Sequence, residues 1–286
     1  MEFISKTILK EVFLSKPEWT HKGEYGRLLI ISGSRWMTGS PSTIGLAAMR
    51  TGADMLFFVG PERAMNVTAN SSYTFITEPL TGNFLGMQHV KQVLDFYDVM
   101  KPTAVAIGPG LWRNDETRKA VVEILNQINV PMVIDANAIR ALSQEKEVLE
   151  NKQAVVTPHA DEFRELTGVQ VNPNITQRAD AVKKEAQKLR TVILLKGHVD
   201  IISDGNKIAL NKTGNAYMTK GGMGDSLTGI CAALIARKIN KIDLFTAACA
   251  AAYINGRAGD IAARKLKEGI TTIDLINNIP LSLQGK

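Results

Sequence analysis

An α/β fold with one central sheet covered by helices on both faces is what this sequence predicts. Short, almost wholly apolar runs such as Leu28-Leu29-Ile30-Ile31, Ala104-Val105-Ala106-Ile107 and Ala154-Val155-Val156 recur along the chain, as fully buried strands do. They alternate with helix-patterned stretches, and glycine-bearing loops follow several of them, so the loops should gather on one edge of the sheet. The 286 residues, 45% of them hydrophobic, suffice for a large core, and one domain over 1–286 is expected, without linker, repeat or low-complexity arm.

In chain order, the strand at 27–32 runs into Gly33-Ser34-Arg35-Trp36-Met37-Thr38-Gly39-Ser40-Pro41, and 42–51 reads as a small-residue helix stopped by Gly52. This unit has neither Gly-x-Gly-x-x-Gly nor a Gly-Lys-Ser/Thr ending, which argues against the standard dinucleotide and P-loop forms. It is either a tight connection or a substrate-facing lip made by Gly39, Ser40 and Pro41. Residues 54–59 form the next strand and 62–69 a helix, whereas 71–88 mix aromatic, proline and glycine residues without a clear period. A helix over 89–100 precedes the strand at 104–107, which ends in Gly108-Pro109-Gly110-Leu111. Its glycines either turn the chain or let a substrate approach the backbone.

A helix over 116–128 leads to the strand at 131–134, closed by Asp135, which either caps a loop or meets phosphate through a cation or water. The strand at 154–156 precedes Thr157-Pro158-His159-Ala160-Asp161-Glu162-Phe163, where His159 and Glu162 stand one helical turn apart. They form either a capped helix with surface charges or the polar rim of an active site. After a helix over 177–189, the strand at 191–195 opens into Lys196-Gly197-His198-Val199-Asp200. Lys196 and His198 there either meet a nucleotide or face solvent. Residues 201–210 make a hairpin turning at Asp204-Gly205.

The chain then reaches Lys220-Gly221-Gly222-Met223-Gly224-Asp225-Ser226-Leu227-Thr228-Gly229, a glycine run passing into a helix over 226–237. The first N–H groups of such a helix lack intrahelical partners and can meet an anion. Asp225, at the junction, either caps the helix or takes a proton from a substrate hydroxyl while the amides hold phosphate. An Ala-rich helix over 244–266 completes the cover of the sheet.

The 34 Lys and Arg against 28 Asp and Glu leave a net charge of +6, dispersed rather than gathered in a basic block or stripe. That distribution argues against nucleic-acid binding and suits attraction of phosphorylated metabolites. Charges in Met1-Glu2-Phe3-Ile4-Ser5-Lys6 do not match a signal peptide and no segment approaches a membrane span, so a cytoplasmic location is expected. Cys231 and Cys249, both in Ala-rich apolar segments, are expected as buried thiols.

Taken together, Lys22-Gly23-Glu24-Tyr25-Gly26, Met37-Thr38-Gly39-Ser40-Pro41, Gly108-Pro109-Gly110, Thr157-Pro158-His159-Ala160-Asp161-Glu162-Phe163, Leu195-Lys196-Gly197 and the 220–229 glycine stretch resemble the ADP-dependent NAD(P)H-hydrate dehydratase family from about residue 23 onward. The resemblance implies a ribokinase-like, three-layer α/β/α sandwich around a mostly parallel sheet. It implies phosphorylation by ADP of the C6 hydroxyl of hydrated NADH or NADPH (NADHX, NADPHX), then loss of phosphate, with Mg2+ accompanying the nucleotide. On the same footing, Ser40, Pro41, Gly110, His159 and Asp225 face the hydrated cofactor; Lys196, Gly197, His198, Val199, Asp200 and Gly224 bind the nucleotide. Gly221, Gly222, Met223 and Gly224 stabilise phosphate, Glu162 reaches the metal through water, and Asp225 is catalytic, ionised and weakly basic at its helix start. A homo-oligomer, with a tetramer among the options, and coupling to an NAD(P)HX epimerase are implied as well. Two positions depart from the family's commonest pattern: Met223, where Thr or Ser is frequent, and Trp112, where Gly is. The competing readings are a small-molecule hydroxyl kinase of the same fold and a non-catalytic cofactor sensor.

Overall fold

The computed structural model describes residues 1–284; the last two residues of the domain expected over 1–286 lie outside the described residues. The elements run β1 (Glu2–Phe3), α1 (Ile8–Val12), β2 (Arg27–Ile31), α2 (Ser40–Thr51), β3 (Met55–Pro61), α3 (Glu62–Ala69), β4 (Ile76–Leu80), α4 (Val90–Met100), β5 (Ala104–Ile107) and α5 (Asp115–Gln127). They continue with β6 (Met132–Ile134), α6 (Asn137–Ala141), β7 (Ala154–Val156), α7 (Ala160–Thr167), α8 (Ile175–Leu189), β8 (Val192–Leu195), β9 (Asp200–Ser203), β10 (Ile208–Asn211), α9 (Met223–Ile235), α10 (Leu244–Leu266) and α11 (Thr272–Ser282).

All ten strands join one sheet in the order β1-β10-β9-β8-β7-β6-β5-β2-β3-β4. From β8 to β4 the pairings are parallel, while β9 runs antiparallel to both β8 and β10. The apolar runs are continuous because both faces are covered. Leu28 and Ile30 of β2 point into a core built with α2, α9 and α10, and Leu29 and Ile31 point into a second core with α4 and α5. A third cluster lies between α8, Phe163 of α7 and the β8–β10 strands. This is the ribokinase-like three-layer sandwich with its mostly parallel sheet.

Small residues set the closest approach between helices. A Cβ on Gly229 of α9 would overlap the Ile44 carbonyl of α2, so these helices cross backbone to backbone. Cys231 and Cys249 are free and buried at the same Ala-rich packing.

Several local expectations shift. The helix read over 226–237 begins at Met223, which places Asp225 inside its first turn. The stretch at 71–88 contains β4, an edge strand whose mixed polarity, Ile-Thr-Glu-Pro-Leu, hides any buried period. Helix α11 opens with a capping box of Thr271 and Asp274, and β1 exists only by pairing with β10 some two hundred residues away.

The strand order reverses at β2 and β5. From β2 the chain moves outward through β3 and β4, then returns to the other side of β2 and proceeds through β6, β7 and β8. Loops leaving β2 and β5 diverge at such a point and open a crevice at the carboxyl edge. Here they remain stitched at the base, where the Ser32 hydroxyl donates to the Pro109 carbonyl at 2.6 Å and the Gly33 amide donates to it at 3.2 Å.

Candidate active site

Beside α9, on the β7–β8 side of that edge, lies a cavity of about 850 Å³. His159, Lys196, Gly197, His198, Asp200, Gly221, Met223 and Gly224 line it, bringing together residues from three separated segments of the sequence. Its other wall was not anticipated: Thr213, Gly214 and Asn215 ahead of the glycine run, Met218 and Leu227, and Ala252, Asn255 and Gly256 on α10. The readable signal was Gly214, which adopts φ +103°, followed by Asn215, whose side chain accepts the Tyr217 amide as a cap. Asp260 of α10 holds that loop by accepting from the Gly214 amide at 3.1 Å and the Asn215 side chain at 2.9 Å. Small residues on α10 leave an apolar slot between Met218, Leu227 and Ala252 of a kind that suits a planar base.

The glycine run ends in Gly222, the N-cap of α9, in the left-handed region at φ +87°. No side chain caps this helix. The capping alternative for Asp225 is therefore overturned: it stands three residues past the cap, and its carboxylate is not bonded to the helix end. Among the described residues the Gly224 and Asp225 amides have no backbone acceptor, which leaves the helix terminus open to an anion at the cavity wall. Lys220 is not free to meet that anion, because its ammonium is bonded to the carbonyls of Glu268 and Ile270 and tethers the loop to the end of α10.

Behind the terminus runs a buried charge network. Lys196 Nζ lies 2.8 Å from Asp135 Oδ1 and 3.9 Å from Glu162 Oε2, and the Thr228 hydroxyl donates to Asp135 Oδ2 at 2.7 Å. Burial alone would lower the Lys196 pKa, but the charges of Asp135 and Glu162 outweigh it and hold the lysine above its ordinary value. The Asp135 carboxylate does not cap its loop; it is the counter-ion of Lys196, 61 positions away in the chain.

Asp225 is half-buried next to this network. Burial, and then the negative charge of Asp135, push its pKa up to about 6, against the opposing pull of the Ser40 hydroxyl and Lys196. The expectation of a weakly basic carboxylate is corrected: desolvation and a like charge outweigh the helix dipole.

His159 and Glu162 close a reciprocal cap on α7. The His159 ring accepts the Asp161 and Glu162 amides through Nδ1, and Glu162 Oε2 accepts the His159 amide at 2.9 Å. With Nδ1 accepting, a neutral ring carries its proton on Nε2, which lies 3.3 Å from Glu162 Oε1. His159 faces the cavity; Glu162 is buried behind it, with both oxygens engaged. Among the described residues no group of three or more His, Cys, Asp or Glu side chains converges on a point that could hold a metal. The described residues build no carboxylate cage for magnesium, and Glu162 would have to give up its cap to ligate a metal directly, which leaves contact through water as the role open to it.

Val199 packs against the third core cluster and is not part of the cavity wall. Asp200 accepts from the Gly197 amide at 2.9 Å and the Asn211 side chain at 3.0 Å, shaping the loop; burial raises its pKa against these bonds. Ser40, Pro41 and Gly110 do not line the cavity; they sit on the loops after β2 and β5, and the Ser40 hydroxyl reaches Asp225. A Cβ on Gly110 would come within 2.9 Å of Ser40 Cβ, so glycine there lets the two loops touch. Asp225 therefore stands between two half-sites.

Residues 28–281 match the family model described as NAD(P)H-hydrate dehydratase. The chain is 40% identical over 272 residues to the bifunctional NAD(P)H-hydrate repair enzyme Nnr of Hyperthermus butylicus, covering 93% of this chain and 50% of that protein. It is 35% identical over 265 residues to the ADP-dependent (S)-NAD(P)H-hydrate dehydratase of Cenarchaeum symbiosum, covering 91% of this chain and 89% of the relative. The chain thus spans about half the length of the bifunctional relatives it matches. The crystal structure of the ADP/ATP-dependent NAD(P)H-hydrate dehydratase of Bacillus subtilis, co-crystallized with ATP and magnesium, superposes with a TM-score of 0.81 at 27% identity, covering 98% of this chain and 97% of that one.

Proposed function

Because the chain belongs to the NAD(P)H-hydrate dehydratase family, we propose that it dehydrates the S-epimers of NADHX and NADPHX at the expense of ADP, returning NADH or NADPH with AMP and phosphate. The observation that carries this reading is Asp225, a carboxylate raised to about 6 and set between a nucleotide-sized cavity and the Ser40–Gly110 crevice.

ADP occupies the cavity with its base in the slot of Met218, Leu227 and Ala252 and its terminal phosphate at the free amides of α9. The hydrated nicotinamide enters from the crevice and presents its C6 hydroxyl to Asp225. Asp225 accepts the hydroxyl proton as that oxygen bonds to the terminal phosphorus and the bond to AMP breaks; the helix-end amides and Lys196 stabilise the negative charge. Phosphate then leaves C6 and a proton leaves C5, restoring the ring double bond. At neutral pH a group with a pKa of about 6 is mostly ionised, yet far more basic than an ordinary carboxylate. Magnesium would arrive on the nucleotide phosphates and neutralise their charge, keeping most of its waters.

The remaining parts of the proposal are that residues 1–286 act as one domain, that ADP is preferred to ATP, that the protein works in the cytoplasm as a homo-oligomer, and that an NAD(P)HX epimerase supplies the S-form. No helix among the described residues is long and apolar enough to cross a membrane. Incubation with authentic NADHX, magnesium and either ADP or ATP, following AMP or ADP release and recovery of reduced-cofactor absorbance, tests the core of it. Stoichiometric AMP and reduced cofactor are expected. A persistent phosphorylated product would make the protein a kinase, binding without turnover a sensor, and higher efficiency with ATP would overturn the ADP preference.

A further inference from the structure

Three aromatic rings from three loops pack together, two of them on the loops that carry Ser40 and Gly110: Trp36 after β2, Phe84 after β4 and Trp112 after β5. Ring centroids are 4.6 Å apart for Trp36–Trp112 and 5.3 Å for each of these with Phe84, and Phe84 lies stacked at 22° to Trp112. This is not a buried core: Trp36 keeps 59% of its surface exposed. Nor are the loops loose. The Arg35 amide donates to the Asn83 carbonyl at 2.9 Å, the Thr117 hydroxyl to the Leu85 carbonyl at 2.7 Å, and the Asn137 side chain to the Leu111 carbonyl. The buried His89 ring accepts the Gly86 amide at 3.1 Å. An exposed aromatic surface is thus held in place by hydrogen bonds from neighbouring elements.

The Arg35 guanidinium lies 5.9 Å from the Trp36 ring centroid and has no ion-pair partner among the described residues. Trp112 follows Gly110 by two positions and Trp36 precedes Ser40 by four, so the rings stand within roughly 10–15 Å of the Ser40–Asp225 contact.

We infer that the Trp36–Phe84–Trp112 cluster is the stacking site for the adenine of the dinucleotide substrate, with Arg35 beside its phosphates, an inference that rests on the dehydratase reading. The hydrated nicotinamide has saturated carbons at C4, C5 and C6 and offers no aromatic plane, and its hydroxyl must reach Asp225. What extends outward from there is the pyrophosphate and the second base. A flat purine meets flat rings, and an anionic linker meets an unpaired cation. None of the three rings lines the ADP cavity, so the two adenines have separate places.

The test compares wild type with Trp36→Ala, Trp112→Ala and the double variant on NADHX and on the hydrate of dihydronicotinamide mononucleotide, which lacks the adenosine phosphate. Each alanine should raise the KM for NADHX roughly 5- to 100-fold, as loss of one base–aromatic stack does. The kcat and the KM for ADP should hold, the mononucleotide should show no difference between wild type and variants, and Trp36→Phe should restore most of the affinity. Unchanged NADHX affinity in the double variant, or an equal loss with the mononucleotide, would overturn the inference. A fall in oligomer mass in the variants, with substrate affinity intact, would assign the rings to a contact between copies and also overturn it. Calorimetric titration with NADH in the presence of saturating AMP reads the stacking site without turnover. Binding to wild type and not to the double variant would keep the stacking site even if NADHX were not converted, whereas equal binding to both would remove it.

Discussion

The two half-sites beside Asp225 are built from opposite materials. On the β7–β8 side the wall is glycine, small apolar residues and the bare end of a helix, with one lysine held by two carboxylates. On the β2–β5 side it is large rings and an arginine carried on loops. Backbone amides recognise phosphate in any nucleotide, and they need side chains to stay out of the way. Selecting one substrate requires side chains whose shape the partner must match. The first wall therefore centres on the glycine run at 221–224, and the second on residues 28 to 76 positions apart.

The largest effect should come from the group between the halves. Asp225→Asn should lower the single-turnover rate by roughly 10²- to 10⁴-fold while both ligands still bind, because Asn keeps the shape and cannot accept the proton. Normal single-turnover chemistry in a folded variant would remove Asp225 from the mechanism. The same variant has a stability signature. The folded pKa of about 6 lies above the ordinary 3.8, so the protonated form is the better tolerated one, and wild type loses stability as pH rises through 6. The Asn variant should accordingly be the more stable protein at pH 8, by at most on the order of 2–3 kcal/mol, with the difference vanishing below about pH 4. Thermal melts at the two pH values read it.

The charge network behind the first wall should move the acidic limb of the rate–pH profile in opposite directions. Asp135→Asn removes the like charge and should bring the limb down by roughly one pH unit; Lys196→Met removes the opposing cation and should move it up by a similar amount. Lys196→Met leaves the buried Asp135 without its cation and should also lose about 3–5 kcal/mol of stability, while Asp135→Asn leaves Lys196 its second carboxylate, Glu162, and should lose less; urea denaturation measures both. A limb that stays in place in both would mean that another group titrates.

The smallest substitution separates binding from folding. A methyl on Gly224 would sit 3.6 Å from Lys196 Nζ in otherwise open space, so Gly224→Ala should fold with nearly unchanged melting temperature and lose roughly tenfold in ADP affinity. Gly108, at φ +127°, has no such room: a Cβ there would overlap the Asp135 carbonyl, and Gly108→Ala should fail to accumulate as folded protein. Equal stability of the two variants would show that the glycines of the two loops are not doing different jobs.

Much of the fold was legible because its signals are local. Leu28–Ile31, Ala104–Ile107 and Val192–Leu195 are apolar at every position since both faces of each strand are covered, and the bounds of these strands differ from those expected by at most one residue. The hairpin at Asp204-Gly205 and the helix stop at Gly52 follow from turn chemistry alone. Where burial was partial the pattern failed, as at the edge strand β4. Lys196, His159 and Gly224, expected at a site by motif, do line the cavity; the wall from α10 was not legible, since Ala252, Asn255 and Gly256 look like any helix-packing residues until the helix is placed.

The sequence by itself determined the alternation of strands and helices, the glycines that free the end of α9, and the membership of this chain in its family. Only the tertiary structure decided the protonation and partners of the groups that act. Asp225 reads as a cap or an ordinary acid until Asp135, 90 positions earlier, is brought near it and water is withdrawn. Charge–charge energies and desolvation depend on distance and burial, and neither is written along the chain.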